Sequence, residues 1–463
     1  MKQDADSFRA YTDFLAGKRI RIPPSGFMAS AINSRLFDFQ RDIVKWATRK
    51  GKCAIFADCG LGKTPMQLEW ANQVAGHSER PVLIFAPLAV SQQTQREGEK
   101  FNIPVTICRT QSDVRRGINI ANYQMIQHFD PSSFAGLVID ESSILKGDGP
   151  MRRSIAEFAI GIPYRLACTA TPAPNDFMEL GNHAEFLGIM SKAEMLATFF
   201  VHDGGDTSKW RLKGHAEVDF WRWVASWAVM IRKPSDLGYE DGKFLLPPIE
   251  YHQHVVPAEW SSDYLFPVEA KSLRERQAAR KDSLAERVKL CAEIVNASSE
   301  QWLNWTNLNS ESEALARLIP TAVEVTGSDS MAHKESAPLR FIAGDIKDLV
   351  SKGSILGYGM NFQNCCHAAA VGLSDSWEML YQITRRIWRF GQSRTCHMHI
   401  ITGELEGAVV RNIQRKELQA AEMAAAMLGH MREINRAEIH GTIRETIAYQ
   451  PKEGMVTPQW LCR

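Results

Sequence analysis

Several common signatures are missing from this chain, and each absence removes a class of function. Its nine cysteines include no C-x-x-C pair and no cysteine with a histidine partner at zinc-finger spacing. Cys365 and Cys366 are adjacent in an apolar stretch, and the set reads as buried or free thiols of a reducing compartment. No apolar run approaches the roughly 18 residues that a membrane-spanning helix requires. The opening segment MKQDADSFRAYTDF has no apolar signal core. Net charge is almost nil: 54 Lys and Arg stand against 53 Asp and Glu, leaving +1. Any nucleic-acid surface must therefore be a local patch. There is no internal repeat and no low-complexity tract. What remains, 44% hydrophobic and 23% charged residues over 463 positions, is the composition of a globular protein of about three domain lengths.

A smaller absence is more informative. The segment FADCGLGKTPMQ (56–67) ends like a phosphate-binding loop, but Ala57 stands where the pattern G-x-x-x-x-G-K-[ST] has its first glycine. The context is nevertheless right. KCAIFA (52–57) is an apolar strand, GLG is a flexible turn, and TPMQLEWANQVA has helical spacing. In such a loop the backbone N–H groups and helix N-terminus face phosphates, Lys63 reaches the β and γ oxygens, and Thr64 holds Mg2+. Close approach needs glycine at Gly60 and Gly62, whereas Ala57 is tolerated if its backbone stays strand-like. The alternative is a chance GKT.

Two further segments would complete the site. In FAGLVIDESS (134–143) an apolar strand runs into Asp140 and Glu141. Asp140 suits Mg2+, held through water, and Glu141 suits polarisation of an attacking water; an exposed acidic turn is the other reading. In YRLACTATPAPND (164–176) the strand ends at Thr169 and Thr171, small hydroxyl residues suited to sensing a γ-phosphate. A threonine-rich loop before proline is the bland reading.

The order of these motifs resembles a superfamily-two helicase-type ATPase, and within it the Swi/Snf-like double-stranded DNA translocases. That group commonly reads ADEMGLGKT where this chain has ADCGLGKT, one residue shorter; DEAH where this chain has DESS, followed by Leu145-Lys146; and TGTP where this chain has TATP. LFDFQRDIVKW (36–46) resembles the adenine-contact segment and points to Gln40. The most specific match is YQITRRIWRFGQSR (381–394), similar to the signature Q-x-x-x-R-x-x-R-x-G-Q, which maps Gln382, Arg386, Arg389, Gly391 and Gln392. Arg385 and Trp388 replace the group's Asp and His there, which implies a loosened contact inside the second lobe. GSILGYGMNFQNCCHAAAVGLSDSW (353–377) resembles a G-x-G-x-N coupling motif with Gly357, Gly359 and Asn361. MIRKPSDLGYEDGKFLLPP (230–248) resembles the basic exit from the first lobe and its proline-ended linker. The resemblance covers about residues 33–435.

The resemblance implies an α/β fold of two RecA-like lobes, each a parallel sheet flanked by helices. It puts ATP at Gln40, Asp58, Gly60, Gly62, Lys63, Thr64 and Gln392, with Mg2+ at Thr64 and Asp140. Glu141, Asp140, Lys63, Arg386 and Arg389 become the catalytic set, the arginines acting as fingers from the second lobe. Thr169, Thr171, Gly357, Gly359, Asn361 and Gln382 become coupling residues. Pro87, Ser91, Asn122, Tyr123, Thr306 and Asn307 become candidate DNA contacts, directed to phosphates and not to bases.

Along the chain, residues 1–32 read as an N-terminal extension, 33–250 as the first lobe, 251–435 as the second and 436–463 as a tail. Strand-like runs are CAIFA, VLIFAP, INIANY, LVID and RLACTAT, then QWLNWTNL, AVEVTG, GSILGYG, AAAVGL and CHMHIIT. Their alternation with helical patterns predicts parallel sheets covered on both faces. DFWRWVASWAVMI (219–231) reads as a helix whose Phe220, Trp223, Trp227 and Ile231 form a packed stripe, base stacking being the alternative. The segment 271–289, with seven basic and three acidic residues, reads as a helix with either a solvated face or a contact tracking a nucleic-acid backbone. Residues 407–434 read as a helical brace on the lobes.

The function expected is ATP hydrolysis coupled to movement along duplex DNA. A strand-separating or annealing helicase and a non-translocating, ATP-gated nucleic-acid clamp are the alternatives. A protein partner that supplies targeting fits the bare tail, and no membrane is involved. Compact bacterial or phage-encoded members are the nearest in kind, which implies a cytoplasmic setting in a bacterial or phage-infected cell.

Overall fold

Short apolar runs, most of them buried on both faces, build the two sheets of this computed structural model. It describes residues 22–441, apart from 88–89, 148, 204–205, 258–280, 358–359 and 374–375. Most of the N-terminal extension, the first half of the basic stretch, Gly359 and the tail beyond residue 441 thus lie outside the described residues.

The first sheet takes β1 (Lys52–Ala57), β2 (Val82–Ala86), β3 (Val105–Ile107), β4 (Ile118–Asn122), β5 (Gly136–Asp140) and β6 (Tyr164–Thr169). An antiparallel hairpin of β7 (Phe200–Asp203) and β8 (Asp206–Leu212) stands apart, and β9 (Ala228–Ile231) returns to the sheet. The order is β3-β4-β2-β5-β6-β1-β9, every pair parallel. The second sheet holds β10 (Ile249–Val256), β11 (Trp302–Thr306), β12 (Ala322–Val325), β13 (Asp348–Lys352), β14 (His367–Val371) and β15 (Cys396–Gly403). Its order is β10-β15-β14-β11-β13-β12, again all parallel. Helices cover both sheets, giving two RecA-like lobes. Those that matter below are α1 (Asp38–Lys50), α2 (Lys63–Ser78), α3 (Glu217–Trp227), α4 (Leu284–Asn296), α5 (Trp377–Ile387) and α6 (Gly407–Ile439).

Three elements differ from the sequence reading. The expected helix 219–231 stops at Trp227, and Ala228–Ile231 become the edge strand β9. Phe220, Trp223 and Trp227 are core residues, packed among Phe199, Phe56 and one another. The strand expected at GSILGYG lies one step earlier, on Asp348–Lys352, and Gly353–Leu356 form a helical turn. Glycine-bounded apolar residues look like a strand, but here the polar-ended DLVSK takes the buried slot. β10, unread in the sequence, straddles the boundary expected between residue 250 of the first lobe and residue 251 of the second.

The last helix, α6, crosses back from the second sheet to the first lobe. Met427 and Met431 are buried in the first lobe's core, each worth about 1.5–3 kcal/mol on full burial. The Asn435 amide donates to the Ala228 carbonyl at 3.0 Å and accepts from the Met230 N–H at 3.2 Å. Farther along, Glu438 pairs with Lys50 at 3.0 Å and accepts from the Trp46 indole at 2.8 Å. Among the described residues, no helix is long and apolar enough to cross a membrane.

Candidate nucleotide site

In open parallel sheets the carboxyl ends of the strands form the binding crevice. β1 delivers the glycine loop to such an end. Ala57 is still in the ladder, paired with Ile231 of β9, so the missing first glycine falls on extended backbone that any residue adopts. Glycine is required two turns of the loop later. Gly60 (φ 90°) and Gly62 (φ 79°) occupy the left-handed region. A Cβ on Gly60 would stand 2.7 Å from the Phe390 backbone nitrogen, which belongs to the second lobe. Helix α2 then starts at Lys63, whose ammonium folds back onto the Ala57 carbonyl at 2.9 Å.

β5 delivers the acidic pair. Asp140 is buried, and burial together with neighbouring Glu141 pushes its pKa up to about 7. Glu141 holds a left-handed backbone (φ 55°), uncommon for a residue with a side chain. Its Oε2 is buried and has no hydrogen-bond partner among the described residues.

The second lobe supplies the facing wall. Arg386 donates to the Gln382 side chain at 2.8 Å and to the Met360 carbonyl at 3.1 Å. Arg389 donates to the same Met360 carbonyl at 3.0 Å, while its Nε is buried without a partner. Burial and the adjacent Arg386 push the Arg389 pKa down to about 10. Gly60, Gly62, Lys63, Thr64, Asp140, Glu141, Asn361, Arg386 and Arg389 line one cleft of about 250 Å3.

A cleft with two arginines on one wall, one of them with an unpartnered Nε, a stranded carboxylate on the other and a glycine loop at its floor fits a polyphosphate and its metal. The orphaned Glu141 oxygen and Arg389 Nε are the groups that a substrate and its attacking water would satisfy. Thr64 and Asp140 line the same cleft and are the oxygen donors that would hold Mg2+ there.

No protein-family profile matches the chain, and no curated protein matches it in sequence. Among solved structures, it is similar to the Sulfolobus solfataricus SWI2/SNF2 ATPase core in complex with double-stranded DNA, at 16% identity and a TM-score of 0.42. The match covers 89% of this chain and 99% of that one. A likeness of this size carries no inference about activity.

Other expected site residues are placed differently. Gln40 lines the cleft, but its amide braces the loop, donating to the Leu61 carbonyl at 2.9 Å and accepting from the Phe37 N–H at 3.0 Å. Gln392 lies behind the arginine wall, donating to the Cys365 carbonyl at 2.9 Å and accepting from the Ser393 and Arg394 N–H groups. Asp58 faces away from the cleft, into a larger cavity of about 540 Å3 between the lobes. There it accepts from the Tyr381 hydroxyl and pairs with Arg385 at 3.2 Å. Thr171 lines that larger cavity too, with Thr169 bonded to its N–H. Gly357 closes the turn after β13, its N–H bonded to Gly353.

Of the candidate DNA contacts, Pro87, Ser91 and Asn122 are half-buried at the ends of β2 and β4. Tyr123 is different: it is buried and its hydroxyl donates to the Asp140 carbonyl, so it supports the acidic loop and offers no surface to a duplex. Thr306 and Asn307 meet Gly353 at the end of β11, Thr306 being buried.

Sequence reasoning missed the aromatic rim. Phe37, Phe244 and Phe390 line the mouth of the cleft, with ring centroids 5.0 Å apart for Phe37–Phe244 and 4.7 Å for Phe244–Phe390. Their π faces suit a purine base. The only signal was their position beside Gln40, the linker and Arg389.

Proposed function

We propose that the chain is a nucleic-acid-dependent ATPase that couples hydrolysis to movement along duplex DNA. One observation carries the ATPase reading: Arg386 and Arg389 of the second lobe share a single cleft with Gly60–Thr64, Asp140 and Glu141 of the first. The order of motifs along the chain carries the DNA reading.

Lys63 leaves the Ala57 carbonyl and binds the β and γ oxygens beside the N–H groups of the loop. Mg2+, held by Thr64 and Asp140, would supply charge neutralisation on those oxygens. Glu141 orients a water and takes its proton as the water oxygen bonds to the γ-phosphorus. The bond to the β-phosphate oxygen breaks, leaving ADP and phosphate. Arg386 and Arg389 stabilise the charge spread over the γ oxygens. Because these arginines come from the other lobe, turnover depends on the spacing of the lobes, and a duplex lying across both would set that spacing.

ATPase rates with no nucleic acid, single-stranded DNA, duplex DNA and RNA test the substrate class. Duplex DNA is expected to give the largest stimulation, with ATP-driven displacement of a triplex-forming strand. Stimulation without triplex displacement would favour the clamp, and unwinding of a forked duplex would favour the helicase.

A further inference from the structure

The second sheet carries an unassigned histidine ladder on the face away from the larger cavity. β10 contributes Glu250, His252 and His254 at alternate positions, and β15 contributes His397 and His399. The strands are parallel and in register, with Glu250 opposite His397 and His252 opposite His399. Period-two alternation places all five side chains on one face. Tyr251 and Gln253 point the other way and line the larger cavity. His367 of β14 extends the row, stacked 4.8 Å from His397.

Three donor atoms converge there. His252 Nε2 lies 3.1 Å from His397 Nδ1, Glu250 Oε2 lies 3.4 Å from His397 Nδ1, and Glu250 Oε2 lies 3.8 Å from His252 Nε2. A tetrahedral Zn2+ with nitrogen and oxygen ligands about 2.0–2.2 Å away separates its donors by about 3.3–3.5 Å. The observed triangle brackets that spacing. A hydrogen bond between two neutral imidazoles explains only its shortest side, since one N–H cannot also serve the carboxylate. Half-exposure of Glu250 leaves a fourth position open to water.

We propose that Glu250, His252 and His397 bind a divalent transition-metal ion of the zinc type, which fastens the edge strand β10 to β15. β10 is where the chain first joins the second sheet after leaving the first lobe, and Trp388 already grips that crossing by donating to the Pro247 carbonyl at 2.7 Å. The metal adds a second fastening on the opposite face, independent of the nucleotide cleft. His254 and His399, 3.0 Å apart, continue the ladder beyond the site.

The test uses the full chain, purified without a polyhistidine tag and stripped with a chelator. Zn2+ alone is titrated against a chromophoric chelator, with excess Mg2+ present to occupy oxygen-rich sites. The wild type is expected to take up one tight equivalent and to melt at higher temperature with it. His397→Ala and the surface change Glu250→Gln should each weaken binding by more than about 100-fold, beyond the tenfold to hundredfold cost of losing an outer-shell partner. Co2+ should give strong tetrahedral absorption in the wild type only. Retention of wild-type affinity by either variant, or no tight equivalent in the wild type, overturns the proposal.

Discussion

Two hollows open between the lobes, and they are built on opposite plans. In the smaller, near the glycine loop, buried polar atoms are left without partners: Glu141 Oε2 and Arg389 Nε. In the larger, the neutral Thr171 hydroxyl is also without a partner among the described residues, but the buried charge is closed on itself, Asp58 being held by Arg385, Tyr381 and the Cys59 N–H. An unsatisfied buried group costs roughly 1–3 kcal/mol, and two of them facing each other across a lobe boundary mark where a ligand belongs. A satisfied cluster has no such need; a buried ion pair that joins the two lobes is suited to holding them at a fixed distance. On the proposed reading, the first hollow would hold the chemistry and the second would set the spacing.

The largest expected effect comes from removing a stranded cation. Arg389→Ala should lower turnover by about 10^3–10^5 if the guanidinium acts as an arginine finger, with nucleotide affinity little changed. Single-turnover hydrolysis and fluorescent-nucleotide titration separate the two. A large affinity loss at unchanged turnover would make the first hollow a binding site only.

The stranded carboxylate comes next. Glu141→Gln keeps the shape and removes the base, so turnover should fall about 10^2–10^4-fold while ATP still binds. Normal turnover in this variant would remove Glu141 from the chemistry and leave its left-handed backbone unexplained.

The contrast between the hollows also shows what a sequence displays. Lys63, Asp140, Glu141, Arg386 and Arg389 could be grouped from the sequence because each sits in a short run of recognisable residue types, and the structure lines one cleft with all five. Ala57 was legible once its strand was. The clasp was not, because Asp58 and Arg385 are 327 residues apart and neither has local company that marks it. Arg385 read as a lost contact inside its own lobe, whereas the structure gives it a partner in the other. The histidine ladder left a faint trace in the alternation of EYHQH and HMH, but pairing those two runs required β10, a polar edge strand with no apolar signal. The aromatic rim is drawn from three distant segments, and its only trace was each phenylalanine's position beside a motif residue or the linker.

Breaking the clasp gives the smallest effect and the sharpest test of the spacing role. Arg385 and Asp58 are largely buried, with 10% and 15% of their side chains exposed, and the guanidinium also stacks 4.3 Å from the Trp388 ring. Arg385→Ala strands the carboxylate, though Tyr381 and the Cys59 N–H still hold it. The cost is therefore at the lower end for a broken buried pair, about 3 kcal/mol, or roughly a hundredfold shift from closed to open lobes. Small-angle scattering should show a larger radius of gyration, with circular dichroism unchanged. Burial by itself would raise the Asp58 pKa, but Arg385 and then the Tyr381 hydroxyl hold it below the usual carboxylate value. A depressed folded-state pKa gives stability that is complete above the unfolded value, about 3.9, and lost as pH falls through the folded one. The wild type should therefore keep its compact shape from pH 9 down to pH 5 and open only well below pH 4, while Arg385→Ala should be more open than the wild type across pH 5–9. A wild type that opens between pH 5 and 8, or a variant that stays compact, would show that something other than this clasp sets the distance between the lobes.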